Sequence, residues 1–308
     1  MKISMIIEMT NPQSNGRLIV RELLRQEHEV QVLDMTAPSE QLIMLAKEFQ
    51  PQVVFGTHTH RTLSKECTQK IKDTSSHPLM VLWYCDGYGP TSYFDAEDFN
   101  KVKGIYDLML VAVKGIVIEL EGYAKKVVWT PQYYDPTFFG YFDFYERNDI
   151  YDVCFIGNLH VAAPDREKFV EILSKRFKMV AFGAGFSSSP VVGKRSSLVY
   201  LSSKMSFDTN KSLPETSLRF SERLYKCMAN GCLFLAPPTK GLELLFIPGE
   251  HLATYDGTIE GLCEKIDYYS GHDEERKKIA KQGMAEIFEK HTIDIRVKQY
   301  IKEIEEML

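Results

Sequence analysis

Compact apolar runs over residues 2–7, 29–33, 52–56, 79–85, 108–112 and 126–129 have strand length, and residues 15–26, 39–49 and 63–73 between them carry apolar positions at helical spacing. Strand and helix in alternation predict a parallel sheet covered by helices. The rhythm stops over residues 130–148, where Pro131, Pro136 and Gly140 sit among aromatics with neither period, so this stretch reads as a connection. It then resumes, with strands expected over 151–156, 179–182, 204–207, 232–236 and 252–255. Helices are expected over 166–176 and 197–203, just after Phe220, and from Ile259, Asp273 and Asp294. The fold class is therefore α/β with two Rossmann-like domains. They are assigned to residues 1–145 and 146–292, and an amphipathic last helix, 293–308, is expected to cross back onto the first.

Composition narrows the function classes. A chain of 308 residues accommodates two domains of about 150 residues each. No apolar run approaches the roughly 20 residues of a membrane span, and MKISMIIEMT has too short an apolar stretch for a signal peptide, reading instead as the first strand. The cysteines Cys67, Cys85, Cys154, Cys227, Cys232 and Cys263 form no CxxC pair and mostly lie in apolar contexts, which favours reduced thiols and a cytoplasmic location. A net charge of −5 disfavours a general nucleic-acid surface and leaves only a local basic groove open.

The polar residues that punctuate the strands are the candidates for chemistry, because ligands of parallel α/β sheets bind beyond the carboxyl ends of the strands. In the first domain these are Asn15 and Gly16 after the first strand, His58 and His60 after the third, and Asp86, Gly87 and Tyr88 after the fourth. His58 and His60 alternate at a strand end and have no visible further ligands, so no metal site is assigned. Asp86 reads either as a turn carboxylate before Gly87 or as a cleft carboxylate. The aromatics Trp83, Tyr84, Tyr88, Tyr93, Tyr133 and Tyr134 read as core or as stacking surfaces. In the second domain Gly157-Asn158 and Gly183-Ala184-Gly185 are small-residue strand-end turns that serve chain geometry or let a ligand approach the backbone. Neither is a GxGxxG motif or a P-loop, which removes the main support for dehydrogenase and kinase readings.

The densest signal is FSERLYKCMANGCLFLAPPTKG, residues 220–241: a short helix opening at Ser221, Glu222 and Arg223, a Gly stop at Gly231, a buried strand and a loop. Arg223 at a helix start either pairs with a nearby carboxylate or offers its donor fork to phosphate oxygens. The segment resembles the C-terminal region of the CgeB-like, spore-maturation type glycosyltransferases, in the register Ser221, Arg223, Tyr225, Lys226, Ala229, Gly231. GLELLFIPGEHLATYDG, DEERKKIAKQG and Lys290-His291-Thr292 with Arg296 resemble later segments of that family, and WTPQYYDPTFF and YDVCFIGN its domain junction.

The resemblance implies a GT-B architecture, two domains facing across a cleft, and transfer of a sugar from a nucleotide-diphosphate sugar to an unidentified acceptor. That donor is a co-substrate, and no cofactor is expected. Gly157, Asn158, Gly183, Ser221, Glu222, Arg223, Lys226 and Glu243 would bind the donor. Asn15, Gly16, His58, His60 and Tyr88 would face the acceptor, with Asp86 catalytic. There is no DxD triplet, so metal-independent chemistry is implied, with Arg223, Lys226 and helix amides stabilising the leaving diphosphate. Lys226 stands where many relatives carry a Glu that holds the donor ribose. A GT-B-like module that binds a nucleotide or sugar without transfer is the alternative.

Overall fold

The computed structural model describes residues 1–57, 63–85, 100–144, 147–159, 166–209 and 220–308. The chain divides into two compact units, one of Met1–Pro131 with Ile293–Leu308 and the other of Gln132–Thr292.

The first unit holds a six-stranded sheet of β1 (Lys2–Ile7), β2 (Glu29–Asp34), β3 (Val53–Thr57), β4 (Leu79–Tyr84), β5 (Leu108–Val111) and β6 (Lys126–Trp129). Its order is β2-β1-β3-β4-β5-β6 and every neighbouring pair is parallel. The central strands β3, β4 and β5 are buried nearly throughout, as strands covered on both faces must be. Helices α1 (Asn15–Arg25), α2 (Ser39–Phe49) and α3 (Lys65–Lys72) return the chain between strands. Residues 114–120, between β5 and β6, form only a 3₁₀ turn and one short helical turn.

The second unit holds five parallel strands, β7 (Tyr151–Ile156), β8 (Met179–Phe182), β9 (Ser203–Phe207), β10 (Leu233–Ala236) and β11 (Ala253–Thr254). Their order is β11-β10-β9-β7-β8. Its helices are α4 (Arg166–Arg176), α5 (Lys194–Leu201), α6 (Glu222–Ala229), α7 (Ile259–Gly271) and α8 (Asp273–Lys290). Phe155, Phe207, Leu233, Leu235 and Ile266 lie at the centre of its core.

Several expectations shift in detail. The helix expected over 197–203 is α5, running from Lys194 to Leu201, because Gly193 at φ +57° opens it and Ser203 already begins β9. The division falls at Pro131, ahead of residue 145, because the aromatic stretch folds into the second unit. There Tyr134 donates its hydroxyl to the Gly140 carbonyl (2.7 Å) and its amide to the His291 carbonyl (2.8 Å), and Ser197 donates to the Phe139 carbonyl (2.8 Å). Asp135 caps a helical turn, Pro136–Phe139, that the residue pattern does not announce.

The last helix, α9 (Ile293–Glu305), belongs to the first unit. Within it the buried Trp83 indole donates to the Tyr300 hydroxyl (2.9 Å), and Lys126 reaches Glu303 on the helix and Glu306 just past its end. Among the described residues no helix is long and apolar enough to cross a membrane. Cys67, Cys154, Cys227, Cys232 and Cys263 are buried thiols.

Candidate functional site

The site is built on the carboxyl ends of β7, β8, β9 and β10. Ser221 sits in extended conformation at the N-cap of α6, and its Oγ accepts the Arg223 amide (3.3 Å), which starts the helix and fixes where Arg223 emerges. Leu224, Tyr225, Cys227 and Met228 bury the other face of α6. Gly231 ends the unit at φ +63°, where a Cβ would stand 2.6 Å from the Phe144 ring, so both backbone and space require glycine.

Arg223 is buried, at 8% exposure, and held on three sides. Its Nε donates to the Ile156 carbonyl at the end of β7 (2.7 Å). Its Nη1 pairs with Asp208, just past β9 (2.9 Å). Its guanidinium lies over the Phe155 ring, 4.2 Å from the centroid. The remaining nitrogen, Nη2, occupies the space beside Gly157, where a Cβ would come within 2.5 Å of it.

Both small-residue turns therefore have a steric reason. Gly157 makes room for the guanidinium. Gly183, at φ +132°, has a conformation that other residues rarely adopt, and a Cβ there would collide with the Gly157 carbonyl. The Gly157 amide donates to the Phe182 carbonyl (2.9 Å) and the Leu159 amide to the Ala184 carbonyl (2.8 Å), so the two turns are locked together.

Two readings of Arg223 were open, a carboxylate partner or a phosphate. Among the described residues a carboxylate does hold it, but in a buried pair rather than on a solvated face. Lys226 pairs with Glu222 one turn away (2.8 Å) and lies 4.5 Å from the Phe139 ring centroid, so its charge is already engaged. Glu243 is exposed and lines a pocket of about 550 Å³ with Thr239, Lys240, Thr254 and Tyr255. A second, smaller hollow lined by Asp208, Ser221 and Ala236 shares Thr239 and Leu242 with it. Asn158 gives its carbonyl to Arg166 Nη1.

Sequence reasoning missed Arg166, Asp208, Phe155 and Tyr255. Arg166, 5% exposed at the start of α4, also lies over the Phe155 ring (5.5 Å) and reaches Thr209 Oγ1 (3.3 Å). The Tyr255 hydroxyl donates to the Asp208 carbonyl (2.7 Å). Burial, with the Asp208 charge added, pushes that phenol well above its ordinary pKa. The available signal was position, since Asp208 and Tyr255 each end a strand beside the loop that carries Ser221 or Thr239.

In the first unit Asn15 opens α1, and Gly16 is buried, with Ile7 and Thr57 filling the space a side chain would need. Gly16 thus lets α1 pack against β1 and β3. Asp86, His58, His60 and Tyr88 lie outside the described residues. Trp83, Tyr84, Tyr133 and Tyr134 are buried and serve as core. Among the described residues no group of His, Cys, Asp and Glu is arranged to hold a metal ion.

Residues 166–302 match the family model described as Glycosyl transferase-like. Among curated proteins none matches the chain significantly in sequence. Several solved structures resemble it over nearly their whole length. HepE from Anabaena, in complex with UDP and glucose, superposes with a TM-score of 0.66 at 12% identity, covering 100% of both chains. A sucrose-phosphate synthase from Thermosynechococcus elongatus gives 0.66 at 9% identity, covering 99% of this chain and 98% of its own. A glycosyltransferase from Rickettsia africae gives 0.64 at 11% identity, with the same coverage. The chain has the GT-B glycosyltransferase fold, and its residues 166–302, which include Arg223, are glycosyl transferase-like in sequence.

Proposed function

We propose that the protein transfers a sugar from a nucleoside-diphosphate sugar to an acceptor hydroxyl, and that Arg223 receives the diphosphate. The observation that carries this reading is a buried arginine at a helix start, beside two interlocked glycine turns, on a chain whose neighbour HepE is solved with UDP and glucose. A fixed cationic donor suits the charge that develops on a departing diphosphate. Arg166 lies on the same aromatic platform and adds a second positive charge. The finer assignment, to the CgeB-like subgroup, is supported by the order of the segments around residues 220–241.

Chemistry at the sugar also needs a group that takes the acceptor proton or stabilises an oxocarbenium-like state. Asp86 is proposed for it, as the first carboxylate after β4. The reaction is proposed to be metal-independent, the work of a cation falling to arginine. Turnover that survives chelation with EDTA is the expected result, and loss of turnover restored by a divalent ion would contradict it.

Titration with UDP, GDP and their sugars, followed by assay for donor hydrolysis, tests the function. Arg223→Ala should weaken nucleoside-diphosphate binding by about 10- to 100-fold and leave nucleoside binding nearly unchanged. Equal diphosphate affinity in variant and parent would remove Arg223 from the site. Binding without turnover would instead favour a non-catalytic module, a reading to which the engaged Lys226 gives some support.

A further inference from the structure

We infer that Asp208 is a positioning residue for the anion site, an internal counter-anion that holds Arg223 in place and sets how strongly the site attracts a ligand. The inference rests on the reading of Arg223 as the phosphate-binding group.

Asp208 follows β9 directly, and its side chain is 7% exposed. One oxygen, Oδ1, accepts both Arg223 Nη1 (2.9 Å) and the Thr209 amide (2.8 Å), while the Tyr255 hydroxyl pins the Asp208 carbonyl from β11's side of the sheet (2.7 Å). The carboxylate is thus fixed before any ligand arrives. Arg223 is fixed in turn, since Ile156, Asp208 and the Phe155 face together leave one orientation for the guanidinium, with Nη2 beside Gly157. Among the described residues Nη2 is the nitrogen left to meet an anion there, since Ile156 is bonded by Nε and Asp208 by Nη1.

Two consequences oppose each other. A carboxylate beside the guanidinium pre-orients it, so less ordering remains to be done on binding. The same carboxylate puts a negative charge close to the site and repels an incoming phosphate, the more so because burial leaves little water to screen it. Asp208 therefore trades affinity for geometry. Asn at this position keeps an acceptor for Nη1 and removes the charge. Ala removes both.

The test is calorimetric binding of UDP to the parent, Asp208→Asn and Asp208→Ala at two salt concentrations. Asp208→Asn should bind UDP several-fold more tightly with a steeper salt dependence, and Asp208→Ala about tenfold more weakly. Equal affinity and salt slope in all three, or weaker binding by the Asn variant, would overturn the proposal. The Arg223 Nε–H resonance, identified through Arg223→Lys, gives a readout that needs no ligand. It should stay sharp in parent and Asn variant and exchange faster in the Ala variant, whereas an unchanged signal in Ala would overturn the positioning role. Failure of the Arg223 reading is seen separately, as unchanged UDP affinity in Arg223→Ala.

Discussion

At Gly157 the absent side chain leaves the space that Arg223 Nη2 fills, and a Cβ there would approach it to 2.5 Å. Gly157→Ala would push the guanidinium away from the turn, at the cost of the Ile156 or Asp208 contact. The expected outcome is a fall in nucleoside-diphosphate affinity of about tenfold or more, with melting temperature lowered by only a few degrees. Calorimetric titration alongside a thermal melt checks this, and parent-like affinity would show that the arginine does not need the space. That Gly157 and Gly183 follow strands could be read directly from the chain. That one exists for an arginine and the other for the first glycine's carbonyl could not, because both contacts join residues far apart in sequence.

At the scale of elements, the polar contact that matters most for α9 is a buried hydrogen bond rather than its ion pairs, beside the apolar face it buries with Val297, Ile301 and Ile304. Lys126 with Glu303 and Glu306 is partly solvated, where such pairs contribute little. Trp83 and Tyr300 are fully buried, and burial holds the phenol far above its ordinary pKa, so it stays a neutral acceptor of the indole N–H. Tyr300→Phe would leave that N–H without its partner and should cost about 1–3 kcal/mol. A urea melt followed by tryptophan emission checks it, because both tryptophans, Trp83 and Trp129, lie in this unit. A midpoint unchanged from the parent would mean that the hydrogen bond contributes nothing. Periodicity alone predicts α9 as amphipathic, and the partner of its tyrosine lies 217 residues away.

For the molecule as a whole, each unit carries a carboxylate held below the ordinary range, buried Asp107 in the first and half-buried Asp149 in the second. Burial pushes Asp149 up, but Arg147 and Arg276 outweigh it, and Asp107 is likewise drawn down by the Met80 amide, Lys125 and Lys72. A depressed carboxylate stabilises the fold above its unfolded pKa of about 3.9 and loses that contribution as pH falls through the native value. Both units should therefore lose stability as pH drops below about 5, each through its own group. Asp107→Asn should flatten the acid limb seen by tryptophan emission, and Asp149→Asn should flatten only the part of the far-ultraviolet transition that tryptophan does not report. Each change should lower stability at neutral pH by about 1–3 kcal/mol. A single transition shifted equally by both variants would contradict separate control.

The sequence by itself determined the two parallel sheets, the elements that carry them and the glycine-punctuated strand ends. Those depend on local period, chain stiffness and turn chemistry, which each segment holds within itself. It also placed Ser221, Glu222 and Arg223 at one helix start, since an N-cap and a first turn are local. Only the tertiary structure decided what Arg223 touches, that Lys226 lies against Phe139, and that the aromatic stretch after Pro131 belongs to the second unit. Asp208, Phe155 and Tyr255 join the site because β7, β9, β10 and β11 lie side by side, and the order of strands in a sheet is set by packing between distant segments, which no single segment records.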